Sequence, residues 1–275
     1  MHTSKEPQQS NKEENKNMWK LVLFNVIILA VILLLLWLVK TFVSSEKGQN
    51  ILLLCAAGLT ILCHYSSLIY HILSRDGSAI PYLSDNPNLI LPIYPCNLVM
   101  WTALVFALIK NKRGRLGAFL GDYLFWFGIF STFVGMFANV DFIKNPTLAD
   151  FEVTKSILAH ATLLFNVLLL PLFGYSRVDF KRNFLHMLYS VLGMLVVGLY
   201  CNLIFHVLVS KEMAYEVNSM FLLHSPFAGL EFLTYPLIAL VALLLYALLF
   251  ALLERRYLPK EKRFFHGLLL KLRRR

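Results

Sequence analysis

Long apolar runs alternate with short polar segments along almost the whole chain. A helix needs about 20 apolar residues to cross a bilayer core. Seven runs predict such crossings, roughly at 18–43, 51–74, 89–110, 116–138, 153–175, 184–209 and 229–253. The pattern therefore predicts an all-α, polytopic membrane helix bundle with seven transmembrane helices over residues 18–253. Residues 1–17 are polar and read as a disordered tail, and residues 254–275 form a basic tail. The first run is too long for the apolar core of a signal peptide, and no small-residue cleavage site follows it.

Composition agrees with this picture: 58% of the chain is hydrophobic and 15% charged. The net charge of +10 matters less than where it falls. Lys110, Lys112, Arg113 and Arg115 lie between the third and fourth runs. Arg177, Lys181 and Arg182 lie between the fifth and sixth, and Arg255, Arg256, Lys260, Lys262, Arg263 and Lys271 follow the seventh. Cytoplasmic loops carry such an excess, so the N-terminus is expected outside and the C-terminus in the cytoplasm. The basic charge borders the membrane, which points to anionic lipid headgroups and not to nucleic acid. The stretch from Phe264 to Leu272 mixes apolar and basic residues and reads as a short interfacial helix.

Polar groups inside apolar runs are costly and mark candidate sites. By the expected topology, His64, His71, Tyr94, Cys96, Asn97, His160, Asn202, His206, Asn218 and His224 share one layer near the outer side. Asp122 stands apart, near the inner end of the fourth run, where a helix-dipole partnership accounts for it. His186 and His266 read as interfacial. Cys96 follows two prolines in Leu91-Pro92-Ile93-Tyr94-Pro95-Cys96-Asn97. With Pro95 in the first turn of a helix, the thiol would sit beside free N–H groups. Counted as helix from Leu89 and from Val153, Cys96 and His160 each fall on the order of 10 Å below the outer boundary.

The residues alone leave several readings open. A thiol and an imidazole at one depth form a nucleophile and base if packing joins them. They are a packed cysteine and a hydrogen-bonded histidine if it does not. His64, His71, His160, His206 and His224 could also supply a metal or haem, although an i, i+4 pair with an acidic neighbour is absent.

Three segments resemble the YwaF-like family of seven-helix integral membrane proteins. That family is similar to vertebrate transmembrane protein 164, an acyltransferase acting on ether phospholipids. Leu91–Asn97 resembles the family's Leu-Pro-Leu-His-Leu-Cys-Asn run, with Tyr94 in place of the histidine. Leu158-Ala159-His160 resembles its Ser/Ala-His-Gly element. Asn218-Ser219-Met220-Phe221-Leu222, with Pro226 beyond it, resembles its Asn-Tyr-Met-Phe-Leu motif. The resemblance implies Cys96 as acyl-accepting nucleophile and His160 as general base, with transfer through a thioester. Tyr94, Asn97, Asn202, His206, Asn218 and His224 are the expected supporting or substrate-binding residues. Membrane phospholipids are the expected partners, and no metal or cofactor is implied. The Lys-rich chain with no signal-peptide pattern leads us to expect a bacterial plasma membrane. The rival expectation is a non-enzymatic bundle that binds or moves a lipid or small solute in the same cavity.

Overall fold

The computed structural model describes residues 6–74, 83, 86–137, 147–226 and 229–273, and every regular element among them is helical. His2, Arg274 and Arg275 lie outside the described residues. The helices are α1 (Glu6–Phe42), α2 (Glu46–Ser74), α3 (Pro95–Leu108), α4 (Arg115–Phe137), α5 (Phe151–Leu172), α6 (Phe180–Leu208), α7 (Lys211–Val217), α8 (Tyr235–Tyr257) and α9 (Phe264–Arg273). A π-helical turn at Tyr123–Phe127 interrupts α4. Six helices, namely α1, α2, α4, α5, α6 and α8, are long and apolar enough to cross a membrane.

The third apolar run differs from its expected span. Its helix has only 14 residues, about 21 Å at the helical rise of about 1.5 Å per residue. The hydrocarbon core is about 30 Å thick. The cause is local: Pro92 and Pro95 lack N–H donors, so no helix runs through them from Leu89. Residues 90–94 instead form an irregular descent stitched to other elements. Tyr65 Oη donates to Leu89 O (2.8 Å), and Met220 N donates to Ile93 O (2.8 Å). The polar N-terminal segment differs too. It is helical from Glu6 onward, as its Gln, Glu and Lys content permits. The seventh span opens at Tyr235, later than residue 229, with Pro236 in its first turn.

Helix α5 is the central column and packs on α1, α2 and α4. Val153, Ile157, Ala161, Leu164 and Val167 are buried along it. Glycines on α4 allow the close approach: a Cβ on Gly128 would meet Val167 at 2.8 Å.

The basic segments gather at one end of the bundle. Arg113 lies over the Tyr175 ring at 5.6 Å. Lys112 folds inward, and its Nζ donates to Ala107 O (2.9 Å) and Ile109 O (2.8 Å), closing the C-terminal end of α3. Burial there pulls its ammonium below the ordinary lysine range. Asp122 is completely buried at this end, and it is not a helix-dipole partner. Arg182 binds it with two bonds (Nε 2.7 Å, Nη2 3.0 Å), while His186 Nδ1 (2.8 Å) and Ser176 Oγ (2.9 Å) take its remaining acceptor sites. His186 is thus tied to a buried carboxylate and is not a free interfacial residue.

Glu254 was invisible as a special residue in the sequence, standing among basic neighbours at the end of α8. It is buried, and its carboxylate accepts from Phe180 N (2.7 Å) and Phe264 N (2.8 Å). One side chain therefore caps the starts of both α6 and α9. Phe264 stacks on Phe180 (4.9 Å between centroids) and seats α9 on the basic end. Glu254→Ala leaves one buried and one partly buried N–H group without an acceptor, so a loss of about 1–3 kcal/mol is expected in thermal unfolding in detergent.

Candidate functional site

A cavity of about 670 Å³ opens at the opposite end of the bundle. Cys96 and Asn97 enter it from α3, and His160 from α5. Tyr94 and Phe221 belong to its rim, while Met100, Phe127, Phe130, Val134 and Leu163 form an apolar wall. A shallower hollow at the basic end, beside Glu46, Lys47 and Asn50, gathers no comparable set of reactive groups.

Cys96 reaches the cavity because the proline descent ends where it does. Pro95 is the first residue of α3, so Cys96 lies in the first turn; Asn97 N and Leu98 N donate there to Tyr94 O (3.0 and 3.2 Å), while Cys96 N takes no backbone acceptor among the described residues. Asn97 Oδ1 accepts from Tyr94 N (3.2 Å) and holds the entry to the helix. The depth counted from Leu89 does not apply, since residues 90–94 are not helical. At the start of the π turn, Tyr123 brings a buried hydroxyl with no hydrogen-bond partner among the described residues and stacks on the cavity residue Phe127.

The orientation of His160 is set from two sides. Its Nδ1 lies 2.8 Å from Ser156 O, and a carbonyl can only accept, so Nδ1 carries the proton. Nε2 of the neutral ring is then an unprotonated acceptor. The ring also occupies the space above Gly135, and a Cβ there would overlap it. A Gly135→Ala variant must push the imidazole aside or separate α4 from α5. We expect at least a tenfold loss of any His160-dependent activity, since a shift of roughly 1 Å can cost about 10²-fold. Gly193→Ala is the matched control, because nothing lies within 4 Å of its added Cβ.

The remaining expected residues separate. Asn202 does not enter the cavity. Its amide accepts from Ser219 N (2.8 Å) and donates to Ser219 O (3.3 Å). Asn218 is spent on Leu223 N, His224 N and His224 O. Both asparagines brace a contorted loop in which Asn218, Met220 and Phe221 have φ of 44°, 53° and 60°. That region is unfavourable for side chains other than glycine, and the surrounding bonds enforce it. The loop matters because it carries Phe221 into the cavity and Met220 N to Ile93 O. His224 packs on Tyr215 and donates or accepts within this loop cluster, and His206 is exposed on α6. Neither lines the cavity, so shared depth did not mean shared space.

Conversely, the cavity contains residues outside the expected catalytic and supporting set. His64 lines it and bonds Asn88 O through Nε2 (3.3 Å), with Thr60 one turn away. Glu152, Lys155, Ser156, Ala159, His160 and Leu163 form a single stripe along α5 facing the same space. The i, i+3, i+4 spacing of that stripe was the available signal. Among the described residues no three His, Cys, Asp or Glu side chains are placed to hold a metal.

This arrangement defines a multi-pass helical membrane protein with a polar-to-apolar cavity at one end. The chain belongs to the TMEM164 family, whose model matches residues 14–254. No curated protein and no solved structure matches it.

Proposed function

We propose that the protein is a phospholipid acyltransferase that works through a thioester on Cys96. What supports this reading is the cavity shared by Cys96 and His160, with His160 Nδ1 committed to Ser156 O and Nε2 left to accept a proton. Family membership agrees with it, given the resemblance carried by Leu91–Asn97 and Leu158–His160. His160 Nε2 takes the thiol proton, and the thiolate attacks an ester carbonyl of the lipid. The Cys96 backbone N–H and the Asn97 side-chain amide N–H are the donors that serve the developing oxyanion. The ester C–O bond breaks, the departing lysolipid oxygen takes the proton from His160, and the acyl group remains on sulfur. The hydroxyl of a second lysolipid then reverses the sequence, giving its proton to His160 and restoring the thiol.

In this reading all seven apolar segments cross a cell membrane, with α3 completing its passage through the irregular residues 90–94. The cavity opens to the outer leaflet, and the basic loops and α9 face cytoplasmic anionic headgroups.

The test uses purified protein and a phospholipid labelled in its acyl chain. A hydroxylamine-labile acyl adduct is expected on the peptide containing Cys96. It should vanish in Cys96→Ala and persist in Cys63→Ala. Undiminished transfer by Cys96→Ala rejects the mechanism.

A further inference from the structure

The cavity has a charged mouth that the transfer chemistry does not use. Glu152 and Lys155 both line it, on the same face of α5 as His160. Lys155 Nζ donates to Glu152 Oε2 (2.7 Å) and to Ser67 Oγ (3.2 Å). The two partners differ in exposure: the Lys155 side chain is 12% exposed and that of Glu152 is 48%. A nearly buried ammonium is therefore held at a fixed point, with a carboxylate beside it that water can reach. An i, i+3 pair with one exposed member is weak, so an incoming ligand can open it.

The order along α5 matches the order of groups in a glycerophospholipid. Charged residues come first, then His160 five residues on, about 7–8 Å along the axis, then Leu163 and the aromatic wall. A lipid presents its headgroup, its ester carbonyls and its chains in that sequence, with only a few bonds between phosphate and carbonyl.

We propose that Glu152 and Lys155 read the charge of the lipid headgroup, Lys155 taking the phosphate and Glu152 the ammonium of a zwitterionic lipid. This rests on the phospholipid reading of the cavity. An anionic headgroup without an amine satisfies Lys155 but sets its negative charge against Glu152. A zwitterionic headgroup satisfies both, so the cavity prefers it.

The experiment uses full-length protein carrying Cys96→Ala, so that binding is read without turnover. The protein is placed in nanodiscs of equal parts phosphatidylethanolamine and phosphatidylglycerol, and retained lipid is counted by native mass spectrometry. The Cys96→Ala protein should favour the ethanolamine lipid, and adding Glu152→Gln should reduce that preference roughly threefold to fivefold, the effect of one exposed charge pair. Lys155→Gln should weaken retention of both lipids, since both carry phosphate. Matching thermal unfolding of the three proteins keeps the comparison valid, and a variant that fails this check is replaced by Glu152→Ala or Lys155→Met. An unchanged lipid ratio in the Glu152 variant, or retention of neither lipid, overturns the proposal. A shifted ratio in a chain whose Cys96 form never transfers an acyl group upholds the headgroup assignment while rejecting the enzyme.

Discussion

Changing His160 to alanine is expected to slow acylation of Cys96 by about 10²–10⁴-fold, the usual contribution of a positioned general base. The geometry gives this variant a second signature. With the base present, the proton leaves sulfur for His160 Nε2, whose tautomer Ser156 O enforces. With the base removed, only thiol that has ionised by itself reacts. The residual rate of His160→Ala should therefore climb about tenfold per pH unit while the thiol is mostly protonated, and the parent protein should lack that slope. Stopped-time capture of labelled acyl-enzyme between neutral and alkaline pH measures both. A variant that acylates at the parent rate would show that the imidazole is only a packing group.

Asp122→Ala should produce the largest loss of stability of any single change at the basic end. It leaves Arg182 without its counter-charge and His186 and Ser176 without their acceptor. Removing one member of a buried pair costs about 3–5 kcal/mol. The lower end applies, about 3 kcal/mol, because the Arg182 side chain is 30% exposed and keeps part of its hydration. Thermal unfolding in detergent should fall accordingly, while Cys96 alkylation in the surviving folded fraction should be unaltered, since that network lies at the far end from the cavity. Asp122→Asn should cost less, because an amide still accepts from Ser176 and Arg182.

Much of this molecule could be read from the chain. The apolar runs located six spanning helices to within a few residues, because bilayer thickness dictates their length. Cys96 and His160 stood out as polar groups in costly places, and they do line one cavity. The errors share a cause. Asn202, His206 and His224 were grouped with them by depth, and Asn218 by depth and by its motif. Depth is one coordinate, and helix rotation and neighbour order are two more that a single sequence does not contain. Lys155 and Glu152 did not stand out for the opposite reason: they lie near a membrane boundary, where charge is cheap. Only their placement on the His160 face of α5 makes them part of the cavity. The π turn at Tyr123–Phe127 had no sequence marker, since neither Pro nor Gly lies within it.

The sequence by itself determined the class of molecule. Lipid cannot solvate backbone polar groups, so chains this apolar must satisfy them within helices. It also determined where a helix could not run, through Pro92 and Pro95, and hence that Cys96 would fall in a first turn. The tertiary structure decided the rest. It decided that α5, not α6, carries the polar stripe toward α3. It turned Asp122 from a lone acid into the centre of a four-residue network, and Glu254 into the cap of two helices. The physical reason is the same in each case. Helix formation depends on residues close in the chain, whereas a buried charge or a reactive pair is defined by partners from distant segments, and only packing chooses them.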